Sequence, residues 1–207
     1  MKTRSTTLEL PETKRKLVDA GVSLMRTKGY NATTVDNICG EAGVTKGGFF
    51  HYFTSKEDLA KAAAARFREE QAQVMNEAAF RKLEDPLDRV YGRLEFVEES
   101  KGGVQVTRGC LIGDFAQELS FTHPELRSVC EEAFAAMALD FEKDLAEAKA
   151  RHAPDAGFDP KSVAMLYVSI VQGSMMMAKA ADSNAVLKAN IAQLRRYVES
   201  LFGAGRP

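Results

Sequence analysis

The chain has 207 residues, 45% of them apolar and 28% charged, which suffices for one large domain or two modest ones and excludes a disordered or fibrous chain. Its net charge of −1 divides unevenly: residues 1–56 hold nine Lys/Arg against five Asp/Glu and the remainder 19 against 24, so an anionic partner is expected for the first part only. We read no 18-residue apolar span and no charged-then-apolar leader, and expect a cytoplasmic protein without membrane contact.

Proline and glycine punctuate a chain with helical periodicity throughout. Leu17, Ala20, Gly21, Leu24 and Met25 recur at helical spacing after Pro11, which predicts a helix over about 11–28 stopped at Lys28-Gly29. Thr34 caps a second, short helix whose apolar positions Val35, Ile38, Cys39 and Ala42 share one face, and Gly43 ends it. Thr45 caps a third through about Tyr52. Ser55 opens a long fourth with "SKED", a capping-box-like start with Asp58 in the Glu position. Pro86 begins a helix ending near Gly102-Gly103, another covers about 107–120, and Pro124 begins one that runs to about Arg151. "HAPDAGFDP" is a loop, and helices near 160–181 and 185–202 follow. No strand alternation or internal repeat occurs. The expected fold is all-α with about nine helices.

The last helix carries Leu187, Ile191, Leu194, Val198 and Leu201 at alternating steps of four and three, a coiled-coil-like seam. The helix before it offers Leu166, Ile170, Gly173 and Met177, with small Ser169 and Ser174 permitting close approach. A two-fold contact between protomers through these two helices is expected, giving a homodimer.

Three short helices at the N-terminus, with Gly43 in the turn between the second and third, form a helix-turn-helix pattern, a unit that puts its last helix in the DNA major groove. In that helix Phe49 and Phe53 face inward, leaving Lys46, Gly47, Gly48, His51 and Tyr52 outward or at the edges. Lys46 suits guanine O6/N7 or phosphate, and His51 a base edge or phosphate. Two adjacent glycines cost helix stability, about 1 kcal/mol each. The expected return is close approach of bare backbone to DNA.

"TTVDNICGEAGVTKGGFFHYFTSKEDL" resembles the DNA-binding signature of the TetR family of bacterial transcriptional regulators, with the Ala-Gly-Val turn, the aromatic-rich third helix and the Phe-x-x-Lys ending in register. The resemblance implies a homodimeric all-α repressor on double-stranded palindromic DNA. It implies a DNA-binding domain over 1–55 and an effector-binding and dimerisation domain over 56–207. Thr34 and Lys56 would contact phosphates flanking the reading helix; Thr45, Lys46, Gly48 and His51 would face bases or nearby backbone; Tyr52 would contact phosphate. Phe50 stands where the family very often has tyrosine, and bare Gly48 where it often has a small side chain. Lys2, Arg4, Lys14, Arg15 and Lys16 are candidates for further phosphate or minor-groove contacts.

The resemblance also implies a small-molecule effector among the later helices. Candidate wall residues are Tyr91, Phe96, Phe115, Met137, Phe141, Tyr167, Gln172 and Met176. Cys110 joins them because "RGCLIGDFAQELS" resembles a segment of members that respond to electrophiles or oxidants through cysteine. A helix N-terminus and Arg108 nearby are expected to favour its thiolate. Asp114 and Glu118 are expected as an exposed or salt-bridged pair. Neither the three cysteines, Cys39, Cys110 and Cys130, nor His51, His123 and His152 have metal-ligand or disulfide-framework spacing, so no metal or cofactor is expected. No nucleophile-base-orienter set or phosphate loop is present, and an enzyme is not expected. A transcriptional activator and a cysteine-based redox sensor of the same fold are the alternatives to a repressor.

Overall fold

The computed structural model describes residues 11–99 and 108–203, and among them the only regular structure is nine α-helices and one 3-10 turn. The chain divides into two compact units, Met1–Phe67 and Arg68–Pro207. Lys2 and Arg4, and the Gly102-Gly103 helix end, lie outside the described residues.

The first unit holds α1 (Glu12–Lys28), α2 (Val35–Ala42), α3 (Lys46–Tyr52) and the first turns of α4 (Lys56–Glu77). This compact unit runs past the division expected before α4, and Leu59, Ala60, Ala63, Ala64 and Phe67, on α4, are buried. Gly21 on α1 explains how closely α1 and α4 pack, since a Cβ there would lie 2.5 Å from Leu59 Cδ2. α2 begins with a full capping box, in which Thr34 Oγ1 accepts from Asn37 N at 3.1 Å and Asn37 Oδ1 accepts from Thr34 N at 3.2 Å. Gly43 closes α2 in the left-handed region, φ 64°, where a side chain would be strained. Ser55 Oγ caps α4 through Asp58 N, while the Asp58 carboxylate reaches back one residue further than expected, to Thr54 N.

The second unit contains a 3-10 turn (Ala79–Lys82), α5 (Pro86–Glu99), α6 (Leu111–Leu119), α7 (Pro124–His152), α8 (Pro160–Ala181) and α9 (Ala185–Leu201). The 3-10 turn was not anticipated. α6 starts later than expected, because Gly109 turns the chain at φ 73° and Cys110 takes the N-cap position. A core of Leu94, Phe141, Leu145, Tyr167, Ile191 and neighbours joins α5, α7, α8 and α9. It absorbs the seam expected to join protomers: Leu187, Ile191, Leu194 and Val198 are each at most 2% exposed within their own chain. The correction is physical, since a four-three spacing serves any helix flanked by neighbours along its length. α8 also differs from the expectation of no apolar span. Residues 162–178 carry no charge, and this helix is long and apolar enough to cross a membrane by length and composition. Val163, Ala164, Tyr167, Val168, Val171 and Ala178 spend one of its faces on the core.

An ion-pair network ties the 3-10 turn and α5 to α7. Arg93, 2% exposed, donates to Asp140 at 2.7 Å, and its guanidinium lies 5.4 Å and 5.2 Å from the rings of Phe80 and Phe141. Arg89 Nε and Arg81 Nη1 reach the two oxygens of Asp144 at 3.0 Å and 3.2 Å; Arg81 also pairs with Asp140, and Arg89 with Glu147. Burial alone would raise the Asp140 carboxyl, but the hydrogen bond and charge of Arg93, then Arg81, outweigh it and hold it below the usual carboxylate range.

Candidate nucleic-acid interface

α3 has seven residues, too few to persist alone, so what it packs against sets its orientation. Phe49 and Phe53 are 0% and 2% exposed and form the inner side, with their rings 5.7 Å apart. Lys46, Gly47, Phe50 and His51 are exposed on the other side, and Tyr52 lies half-buried with its ring 4.7 Å from that of His51. The expected division of this helix into a packed and an outward face is what the structure has. Thr45 Oγ1 accepts from Gly48 N at 3.1 Å. Thr34 and Thr45 thus cap their helices with an oxygen lone pair and keep the O–H to donate outward, the chemistry a phosphate oxygen accepts.

The two adjacent glycines separate in role. A Cβ on Gly47 would meet nothing nearer than Thr45 Oγ1 at 3.9 Å. A Cβ on Gly48 would sit 2.7 Å from Val44 Cγ1, so this glycine is explained by the turn packed beneath it. Gly47→Ala should therefore raise the stability of the first unit by roughly 0.5–1 kcal/mol. Gly48→Ala should lower it by about 1–2 kcal/mol, because β-branched Val44 has little rotamer freedom with which to yield. Opposite shifts in thermal unfolding would verify the assignment; equal stabilisation would reject the packing role of Gly48. If Gly47 is where DNA comes closest, the stabilised Gly47→Ala should still bind DNA less well in a mobility shift.

Lys56, expected at a phosphate, has partners within its own unit. Its ammonium donates to the carbonyls of Tyr30 and Thr33, both at 2.9 Å, and lies 4.0 Å over the Tyr30 ring. It fastens the start of α4 to the loop between α1 and α2. Lys14 lies 5.5 Å over the Phe53 ring, Arg15 pairs with Asp19 at 3.4 Å and Lys16 with Glu12 at 2.7 Å, all with charges or rings of their own unit. Lys46 makes an ion pair the sequence reading missed, with Asp36 on α2 at 2.8 Å, and this contact lifts its pKa.

Among the described residues, the expected effector walls fall in different places. Tyr91, Met137, Phe141 and Tyr167 belong to the central core, Phe115 is 1% exposed, and Phe96 stacks near Phe80 at 5.8 Å. Cys110, Gln172 and Met176 do converge, lining a recess between α6 and α8 with Gly109, Gly113, Asp114, Gln117 and Met175. Gly113 permits this, because a Cβ there would lie 2.6 Å from Gln172 Oε1. Asp114, expected with Glu118 to be exposed or salt-bridged, accepts from Lys179 of α8 at 3.0 Å.

The Cys110 thiol is pushed up by burial, against the pull of the Gly113 N–H, the Gln172 amide and the Ile112 N–H. Arg108 is exposed, and the expected bias to thiolate is corrected: the low dielectric outweighs the helix N-terminus. Cys130 is pushed up to about 11, chiefly by burial.

Two family models match this chain. Residues 17–63 match "Bacterial regulatory proteins, tetR family", and residues 86–194 match "Tetracyclin repressor-like, C-terminal domain". The transcriptional regulator AcuR of Cereibacter sphaeroides is 27% identical over 165 residues, 80% of this chain and 75% of that protein. The HTH-type transcriptional repressor DhaR of a Mycobacterium species is 24% identical over 166 residues, 80% of this chain and 82% of its own. In three dimensions, a TetR-family transcriptional regulator from Cytophaga hutchinsonii superposes with a TM-score of 0.83 over 95% of this chain and all of that one, at 17% identity. A capped helix-turn-helix with a packed and an outward face, followed by a helical second unit and matched over both by these models, identifies the chain as a member of the TetR family of DNA-binding bacterial transcriptional regulators.

Proposed function

We propose that the chain is a homodimeric repressor that reads a palindromic operator through α3 and is released by a small molecule bound in its second unit. The observation that carries the reading is the division of α3, with Phe49 and Phe53 buried and Lys46, Gly47 and His51 presented together on the opposite side. In this reading Lys46 and His51 donate to base edges, and Phe50, 57% exposed, packs on a thymine methyl or sugar. The hydroxyls of Thr34, Thr45 and Tyr52 donate to phosphates, which sets register without reading sequence. Gly48 and Lys56 act behind them, as packing that holds the helix and its neighbour in place. Two such helices about 34 Å apart meet successive major grooves on one side of the duplex.

Apolar residues left outward on the last two helices support dimerisation there: Leu166, Met176 and Met177 on α8 and Tyr197 on α9 are each at least 40% exposed. Among the described residues, the recess holding Cys110, Gln172 and Met176 gathers three of the candidate walls around polar groups and is where a search for the effector starts. α4 carries residues of both units, and an effector that favours one setting of that helix lowers operator affinity only by its preference for that state.

A mobility-shift titration with the DNA upstream of its own coding sequence tests the reading. Wild type should shift that fragment, and Lys46→Ala or His51→Ala should each weaken the shift by roughly five- to 150-fold, the range for a lost base contact. Unchanged binding by both variants would remove α3 as the reading helix.

A further inference from the structure

Lys46, the most prominent cation on the outward face of α3, is already engaged. Its Nζ lies 2.8 Å from Asp36 Oδ1, so the first turns of α2 and α3 are joined by an ion pair whose side chains are 63% and 65% exposed. Such a pair adds little to stability. Thr34 and Asn37 cap the start of α2 reciprocally, so Asp36 in its first turn adds only the modest attraction of an exposed carboxylate for the helix N-terminus. A carboxylate at the edge of a surface that meets phosphates opposes binding there, within a Debye length of about 8 Å. Fold stability therefore accounts for only part of its presence.

We infer that Asp36 is a specificity-determining residue: it holds Lys46 across the α2–α3 edge and repels phosphate, so that Lys46 is given up to a matching base edge and withheld from arbitrary DNA. The inference rests on the α3 reading face proposed above. Binding to arbitrary duplex is driven by cations replacing condensed counterions on phosphates. A lysine that must first leave a carboxylate exchanges one anion for another and gains little from a phosphate. At a matching site the other contacts fix the register, and Lys46 meets guanine O6 and N7, acceptors that arbitrary sequence does not present in the same place. Asp36 thus subtracts more from indiscriminate binding than from operator binding.

The test uses fluorescence anisotropy with two labelled duplexes, one selected by the wild-type protein from a random pool and one scrambled from it, over a series of KCl concentrations. In Asp36→Asn, affinity for the scrambled duplex should rise about fivefold, and its logarithmic salt slope should steepen by about one as Lys46 becomes available to phosphate. Affinity for the selected duplex should change less than about twofold, so the ratio of the two falls. Asp36→Glu, which keeps the charge, should keep the wild-type ratio. Placed on Lys46→Ala, Asp36→Asn should tighten scrambled binding by about twofold rather than fivefold, because only its direct repulsion of phosphate is left to remove, which a purely structural role would not predict. A selective wild type whose ratio is unaltered in Asp36→Asn, or equal tightening on both duplexes, would overturn the role of Asp36 alone. A wild type that binds both duplexes weakly and alike would overturn the reading face and, with it, this inference.

Discussion

Phe49→Ala is expected to abolish DNA binding by melting the recognition unit, at a cost of about 3–5 kcal/mol. The ring is fully buried, touches Phe50 edge-on at 5.1 Å and Phe53 at 5.7 Å, and is the main attachment of a seven-residue helix that cannot stand alone. A unit of this size has little stability in reserve, since small domains bury a smaller share of their surface. Amide hydrogen exchange over residues 34–53 measures the effect, and protection there should collapse while the helices of the second unit keep theirs. Phe50→Ala is the control. Its ring is mostly exposed, so stability should change by less than about 1 kcal/mol, and any loss of DNA binding would come from the surface itself. Retained protection in Phe49→Ala would mean that α3 is held by something other than this ring.

Arg93→Ala should destabilise the second unit by about 3 kcal/mol or more. The guanidinium fills the space between Phe80 and Phe141 and neutralises Asp140 and Asp144, the latter 7% exposed at its side chain. Removing it leaves buried acid with less cation and a gap between two rings, both unfavourable. Arg93→Lys should recover only part of the loss, because an ammonium cannot span two carboxylates and two ring faces as a planar fork does. Urea denaturation measures both. The acid limb of stability supplies a second readout. Asp140 has a depressed carboxyl in the folded state, so its contribution is present above the ordinary value near 3.8 and is lost as pH falls through the lower folded value. In Arg93→Ala that depression shrinks, so the variant should show a smaller loss of stability over the same acid range.

Local signals were legible in the sequence. Thr34 and Thr45 are caps, Gly43 is a turn, and Pro86, Pro124 and Pro160 stand at helix starts, because each acts on backbone within a few residues of itself. The inward pair Phe49 and Phe53 followed from spacing alone. What could not be read was which distant residue each face meets. The seam on α9 has the same rhythm whether it meets a partner chain or α5 and α8. Lys56 is basic in any sequence, and only the fold turns it onto the carbonyls of Tyr30 and Thr33, 26 and 23 residues away. Gly48 and Gly47 are alike in sequence, and only Val44 packed against the former separates them. One long-range feature did leave a trace. Arg89 and Arg93 are four apart on α5, and Asp140 and Asp144 four apart on α7, complementary spacings that two packed helices bring face to face.

The separation of α3 into a packed face and an open one also bears on how such a regulator changes its target. Lys46, Gly47, Phe50 and His51 contribute little to the core, so under the proposed reading substitutions there would alter DNA preference at almost no cost in folding. A duplicated copy of this chain would then drift to a new operator through a handful of viable intermediates. Gly48, beside that open face, is different: a side chain placed there is best matched by a smaller residue at Val44, making a new contact at this position a two-step change.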